Sequence, residues 1–336
     1  MKLLQKLIFL AGLITLGALL WKMDAPEVWR LVLMVGWGFS LIIVQETIAH
    51  VFNAYGWRLA FRADQAAAVP FKNLMLLRVI GDGVNYLTPS AQLAGEFTRA
   101  ALLGAGLSVE ARTSSVVIAK FAQGFSQFLF VLFGIALYLH GRIPALRPYE
   151  GGIRIAATAA AAMLVLFILY EKFAAPAPAP AEQDAGTGLW SIPRRLKLYL
   201  RGHPGRFSLS ILAFMLGYVW GAFEVYWICR FIGLPVSSET AMLIEVLSSL
   251  IDGMLFMVPA KVGTQEAGKT AIFVLLGLPA QSGLAFGIVR HIRELSWASL
   301  GLLLYSTLLK KSAGSKKRSE TEALEIVGKA ARPVSG

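Results

Sequence analysis

The chain has 336 residues, of which 56% are hydrophobic and 15% charged, with a formal net charge of +12. Its apolar residues fall in runs far longer than a soluble core needs, which excludes an ordinary soluble domain and places the chain in the membrane class. The positive charge flanks those runs, with no basic face of interleaved aromatics on which bases could stack, so nucleic acid is excluded as a partner.

In chain order, apolar runs long enough to cross a hydrocarbon layer lie at about residues 3 to 21, 28 to 49, 113 to 139, 153 to 171, 207 to 231 and 283 to 309. The first is preceded by Lys2 and Lys6, but Gly17-Ala18-Leu19-Leu20-Trp21 is a poor cleavage site, so it is expected to stay as a helix. Two further stretches, about 71 to 104 and 239 to 278, are apolar but interrupted by Pro and Gly next to charges, and read as broken or re-entrant helical hairpins. The expected fold is therefore all-α and polytopic, with about six full spans plus two broken hairpins, over residues 1 to 310. Within it, residues 174 to 206 form a cytoplasmic linker: an Ala-Pro run from Ala174 to Ala181, then Arg194, Arg195, Lys197, Arg201 and Arg206 alternating with apolar residues. That alternation suits a short basic helix on anionic lipid headgroups, and equally an ordinary positive loop. Residues 311 to 336 are a basic, polar cytoplasmic tail, expected to lack fixed structure beyond a turn around Leu324 to Val327.

Charge asymmetry sets the topology. Of 32 Lys and Arg residues, 20 fall on the side of the two termini and six on the other, which puts both termini in the cytoplasm of a cytoplasmic (inner) membrane protein. The remaining six, Arg78, Lys120, Lys261, Lys269, Arg290 and Arg293, lie in or beside apolar runs, where each charge costs roughly 2.5 to 3.5 kcal/mol. A single cysteine, Cys229, and four scattered histidines give neither a disulfide nor a metal site. No nucleotide loop or hydrolase motif is present, so no cofactor is expected.

The two interrupted stretches repeat each other. Pro89-Ser90-Ala91-Gln92-Leu93-Ala94-Gly95-Glu96 matches Pro259-Ala260-Lys261-Val262-Gly263-Thr264-Gln265-Glu266, each with a glutamate seven residues after a proline. Leu103-Gly104 and Leu276-Gly277 follow, and sixteen residues after each glycine stands a cation, Lys120 and Arg293. Three spans separate the stretches, so they are expected to enter from opposite faces as an inverted repeat. Proline ends a helix, near Leu87-Thr88 and near Met257-Val258, and a half-helix restarts with free N–H groups that can receive an anion. Glu96 and Glu266 in its first turns either cap and pair within the protein or receive a cation or amine. Arg78 and Asp82, one turn apart, are expected to pair; Arg290 with Glu294 has i, i+4 spacing and leaves Arg293 for an acidic group. Gln45, Glu46, His50, Glu224 and Glu245 read first as structural polar groups.

Asn85-Tyr86-Leu87-Thr88-Pro89, Gly95-Glu96-x-x-Arg99, Leu102-Leu103-x-x-Gly106, Val258-Pro259, Gly263-x-x-Glu266, Leu276-Gly277-Leu278-Pro279 and Arg290-His291-Ile292-Arg293-Glu294-Leu295 resemble the flippase-like transmembrane domain of lysylphosphatidylglycerol synthases. The second half looks most like the hopanoid-associated membrane proteins. The resemblance covers roughly residues 5 to 310 and implies lipid translocation, with Arg78, Asn85, Pro89, Gln92, Glu96, Arg99, Lys120, Pro259, Lys261, Gln265, Glu266, Arg290, Arg293 and Glu294 as substrate-binding candidates. The synthases carry a soluble aminoacyl-transferase domain; the roughly 26 residues after 310 are too few for one, so the chain is expected to be a lipid translocator and no enzyme. Relatives often have an acidic residue just before the cation after the first break, where this chain has Ala119 before Lys120. The expected partner is a membrane lipid: a hopanoid, aminoacyl-phospholipid or glycolipid. The alternatives are an ion-coupled transporter of a small polar solute and a scaffold for lipid-synthesis enzymes. Oligomeric state leaves no mark in the sequence.

Overall fold

The computed structural model describes residues 2–88, 93–104, 106–138, 144–173, 192–255, 258 and 260–330, and among these every regular element is a helix. The Ala-Pro run and the final residues 331–336 lie outside the described residues. The helices are α1 (Lys2–Lys22), α2 (Ala25–Met34), α3 (Gly38–Leu59), α4 (Ala63–Ala68), α5 (Phe71–Leu87), α6 (Ala94–Leu102), α7 (Val109–Tyr138), α8 (Glu150–Phe173), α9 (Ile192–Gly202), α10 (Pro204–Phe231), α11 (Ser238–Met254), α12 (Thr264–Leu275) and α13 (Ala280–Ala330), with one 3₁₀ turn at Pro144–Tyr149.

Each expected span coincides with helix, but not always with one helix. The run at 28 to 49 is two helices, α2 and α3, bent by 68°. Gly36 takes the left-handed conformation with φ 49°, and three-residue hydrogen bonds, such as Gly36 N to Leu33 O at 3.1 Å, tighten the chain around it. Among the described residues, α7 and α10 are long and apolar enough to cross a membrane, and α2 with α3 makes a third crossing if the bent pair acts as one. The tail also departs from expectation, since α13 continues to Ala330. Lys, Glu and Ala are strong helix formers, and Lys316 and Arg318 stand four residues before Glu320 and Glu322.

Two apolar clusters build the core. One gathers Val28, Ile42, Ile228, Leu243, Phe273 and Phe286 from α2, α3, α10, α11, α12 and α13. The other gathers Trp57, Leu74, Ile80, Ala122 and Phe214 from α3, α5, α7 and α10, with Phe61 of the turn after α3 and Tyr199 of α9. Helices α3 and α10 pack along each other and serve both clusters. Between its Ile42 and Trp57, α3 carries Gln45, Glu46 and His50; between its Phe214 and Ile228, α10 carries Glu224. A polar layer thus lies between two apolar ones. Glu46 is roughly 12 Å along α3 from its start and roughly 20 Å from its end.

The basic helix expected after the linker is α9, yet it leans on the protein. The Tyr199 hydroxyl donates to the Leu59 and Phe61 carbonyls and Arg195 donates to Ser114 Oγ at 3.2 Å, while Arg206, which falls in α10, donates to Phe61 O at 2.8 Å. Arg194, Lys197 and Arg201, at i, i+3 and i+7, are exposed on one face.

Candidate functional site

Helix α5 ends at Leu87, as its following proline requires, and Thr88 is already extended with φ −99° and ψ 127°. Pro89 and Gln92 lie outside the described residues, and α6 restarts only at Ala94. Across this gap the Asn85 side-chain oxygen accepts from Gly95 N at 2.7 Å. The second break opens earlier than expected: α11 stops at Met254, and α12 restarts at Thr264. Pro259 lies outside the described residues. Ala260, Lys261 and Gly263 all take positive φ (52°, 51° and 75°), unusual for the first two, which have side chains to strain. This turn lies against α1, where a Cβ on Gly12 would run into the Val262 carbonyl. The two breaks touch, since Ala260 N donates to Tyr86 O at 3.1 Å.

At the first break, Arg78 Nε donates to Asp82 Oδ2 at 3.1 Å, the pairing the spacing predicts. Asp82 also accepts from Arg99 Nη2 at 2.6 Å, while Arg99 Nη1 reaches Glu96 at 2.7 Å. Lys120 Nζ lies 3.5 Å from Glu96. Three cations therefore surround two carboxylates. Arg99 is buried, whereas the Asp82 and Lys120 side chains are 37% and 34% exposed, so the group opens at one edge.

The second break repeats this chemistry. Asp252 accepts from Lys269 Nζ at 2.8 Å, and Lys261 Nζ stands 3.7 Å away. Glu266 Oε2 accepts from Gly263 N at 2.7 Å, capping its own helix, and its Oε1 lies 2.6 Å from His291 Nδ1. So one N-terminal amide of each restarted helix is taken by a side chain of the protein, which leaves less free backbone for an anion than the sequence suggests.

The resemblance between the breaks goes beyond proline and glutamate. Asp82, Glu96 and Arg99 have counterparts in Asp252, Glu266 and Lys269, each numbered 170 higher. In both sets the aspartate pairs with the cation 17 residues on. The sequence carried this signal as Asp-Gly seven residues before each proline; Asp252 and the role of Lys269 were missed because the alignment began at the proline.

Between the breaks, α13 supplies two guanidiniums to the polar layer. Arg290 donates to Glu224 Oε2 at 3.1 Å and to Glu245 Oε2 at 2.6 Å, with Phe286 under its guanidinium at 5.5 Å. Arg293 donates to Glu46, lies 3.1 Å from Glu224 and 3.4 Å from Glu294. Gln265 Nε2 donates to Glu294 Oε1 at 3.0 Å. This corrects the expected pairing of Arg290, which meets Glu224 and Glu245 and not Glu294, because the buried acids of α10 and α11 face α13 more closely than its own next turn does. Arg293, expected to face an acidic group, meets Glu46 and Glu224. The α13 side chain that meets Glu266, as Lys120 meets Glu96, is His291; Arg293, which shares Lys120's spacing from the preceding glycine, meets Glu46 and Glu224. Glu46, Glu224 and Glu245, read first as structural groups, hold the arginines directly, while Gln45 does act as a clamp, accepting from Trp220 Nε1 at 2.7 Å.

The arrangement offers both signs of charge, hydrogen-bonded to each other and partly open at Asp82, Lys120 and Asp252. Among the described residues no group of His, Cys, Asp or Glu is placed to hold a metal ion. A family model described as the lysylphosphatidylglycerol synthase TM region matches residues 4–301. Neither a curated protein nor a solved structure matches the chain.

Proposed function

The chain belongs to the lysylphosphatidylglycerol synthase transmembrane family, a membrane family tied to lipid, and on that premise we propose that it moves an amphipathic lipid between the leaflets of the cytoplasmic membrane. The observation that carries this reading is the duplicated Asp, Glu and cation set at two breaks that touch through Ala260 and Tyr86. A headgroup bearing a phosphate and an amine, or hydroxyls, finds a counter-charge or hydrogen-bond partner at either break. An aminoacyl-phospholipid, a hopanoid derivative or a glycolipid all meet that description.

In this reading α5, α6 and α7 form one half and α11, α12 and α13 the other, inverted with respect to each other in the membrane and both termini cytoplasmic. Helices α5 and α11 have the same length, 17 residues each, in support of the pairing. The halves rock, sliding past each other where the breaks touch, so that the open edge at Lys120 and the one at Asp252 face the two leaflets in turn. The exposed face of Arg194, Lys197 and Arg201 meets anionic headgroups at the cytoplasmic surface.

The test is lipid distribution between leaflets in cells or proteoliposomes carrying Glu96→Gln, Glu266→Gln or Arg293→Ala at normal expression. Each variant is expected to slow redistribution by about tenfold or more, the scale of one lost charge-assisted contact of about 1.4 to 3 kcal/mol. Unchanged distribution in all three would mean the site is misplaced. Uptake of a water-soluble solute in place of lipid would select the solute-transporter alternative.

A further inference from the structure

His50 is a buried ionisable group that the headgroup site does not use. It lies on α3 one turn after Glu46, 6% exposed, with its ring against Trp297 of α13 at a centroid distance of 4.4 Å. Neither ring nitrogen has a hydrogen-bond partner, although buried polar side-chain atoms are as a rule satisfied. Its Nδ1 stands 3.7 Å from Asp82 Oδ2, beyond hydrogen-bond reach but within range of an ion pair. The charged groups that face it come from three other helices, Asp82 and Arg78 from α5, Arg99 from α6 and Arg293 from α13, while Glu46 stands one turn before it on its own helix. It therefore stands between the first break and the guanidinium layer, touching neither through a hydrogen bond.

We propose that His50 is a proton-binding site through which lipid movement is driven by a proton gradient; the coupling rests on the lipid-moving reading above, while the proton site does not. One proton from water, entering at the open edge of Asp82, adds to the free Nδ1 and turns the imidazole into an imidazolium facing the Asp82 carboxylate. No other bond changes, and the same proton leaves to water when the ring is neutral again. Asp82 is the acceptor that Arg99 uses to tie α6 to α5, together with the Arg78 carbonyl at 3.2 Å. A charged His50 competes for that carboxylate and weakens the tie across the first break. At the second break Asp252 meets Lys269 and Lys261, so this competition acts on one half and gives the cycle a direction.

The proton site is tested on the full chain in lipid nanodiscs, with imidazole nitrogens labelled and followed by NMR against pH. The His50 resonance, assigned by its loss in His50→Gln, is expected to move as the pH is lowered from about 8 to about 4, and Asp82→Asn is expected to displace that transition. A His50 signal that stays constant over the range overturns the site. Coupling is tested in proteoliposomes containing the lipids that co-purify with the chain, supplemented with lysylphosphatidylglycerol as probe. An imposed pH gradient should raise transfer between leaflets by roughly fivefold or more, and a protonophore or His50→Gln should remove the increase. Equal rates with and without the gradient, or the same increase from a sodium gradient, overturn the coupling. Transfer absent under every gradient while His50 still titrates would sink the lipid-moving reading and leave the proton site standing. Wild-type melting of His50→Gln is the check that its loss is not unfolding.

Discussion

One carboxylate oxygen does more than any other to organise the polar layer. Glu224 Oε2 lies 3.1 Å from both Arg290 and Arg293, while Glu224 Oε1 has no hydrogen-bond partner. Removing a buried partner strands the charges it held, at about 3 to 5 kcal/mol. Glu224→Gln is therefore expected to lower the melting temperature of the purified protein sharply. Arg62 and Asp64 are a contrast: their side chains are 38% and 65% exposed, and Arg62→Ala should cost less than about 1 kcal/mol in the same measurement. Outside the spans, burial pushes the Tyr199 hydroxyl from its ordinary 10.0 up to about 12. A raised value means the neutral form is the one that docks, so its contribution is complete below pH 10 and is lost as pH rises towards about 12. Tryptic cleavage around α9 should accelerate over that window, and Tyr199→Phe, which cannot ionise, should abolish the pH effect. At this scale the sequence was readable where partners are neighbours in the chain, as for Arg78 with Asp82. It was opaque where they are not: nothing in the chain order says that Arg290 will meet Glu224 and Glu245 from two other helices.

Among the elements, α5 and α13 cross at a close approach that glycine permits on both sides. A Cβ on Gly301 would run into the Val79 carbonyl oxygen, and one on Gly83 would lie 2.7 Å from the Ala298 carbonyl oxygen. Backbone cannot give way as a side-chain tip can, so Gly301→Ala is expected to separate the two helices, destabilise the protein and reduce lipid transfer. Gly124→Ala in α7 meets nothing within 4 Å and should be neutral or stabilising by about 0.5 to 1 kcal/mol. Helix existence was legible in the hydropathy, since each expected apolar run is helical. Continuity was not. The Gly36-Trp37-Gly38 bend sits inside an unbroken apolar run, and what distinguishes it is a backbone angle, not a loss of hydrophobicity. The second break likewise opens before its proline, and beyond it Ala260, Lys261 and Gly263 take positive φ in a turn that packs on α1, a contact between elements far apart in sequence.

For the molecule as a whole, the contact between the breaks is the place where the proposed halves must slide. Cysteines at positions 86 and 260, oxidised to a cross-link, are expected to stop lipid transfer, with recovery on reduction; Cys229 is buried and should not compete. Transfer that continues through the cross-link would show that the halves do not move there. The duplicated residues were legible because they keep their spacing in the sequence, but which α13 side chain meets Glu266 was not, since side chains on a helix reach by direction and not by residue count. The acids that hold the last long helix are all encoded before it: Glu46, Glu224, Glu245 and Glu266 precede Arg290, His291 and Arg293. Each carboxylate that reaches the bilayer before α13 costs roughly 2.5 to 3.5 kcal/mol if ionised. A chain truncated before α13 is therefore expected to accumulate less and to be degraded faster than the full chain, since its acids are made without the cations that pair them.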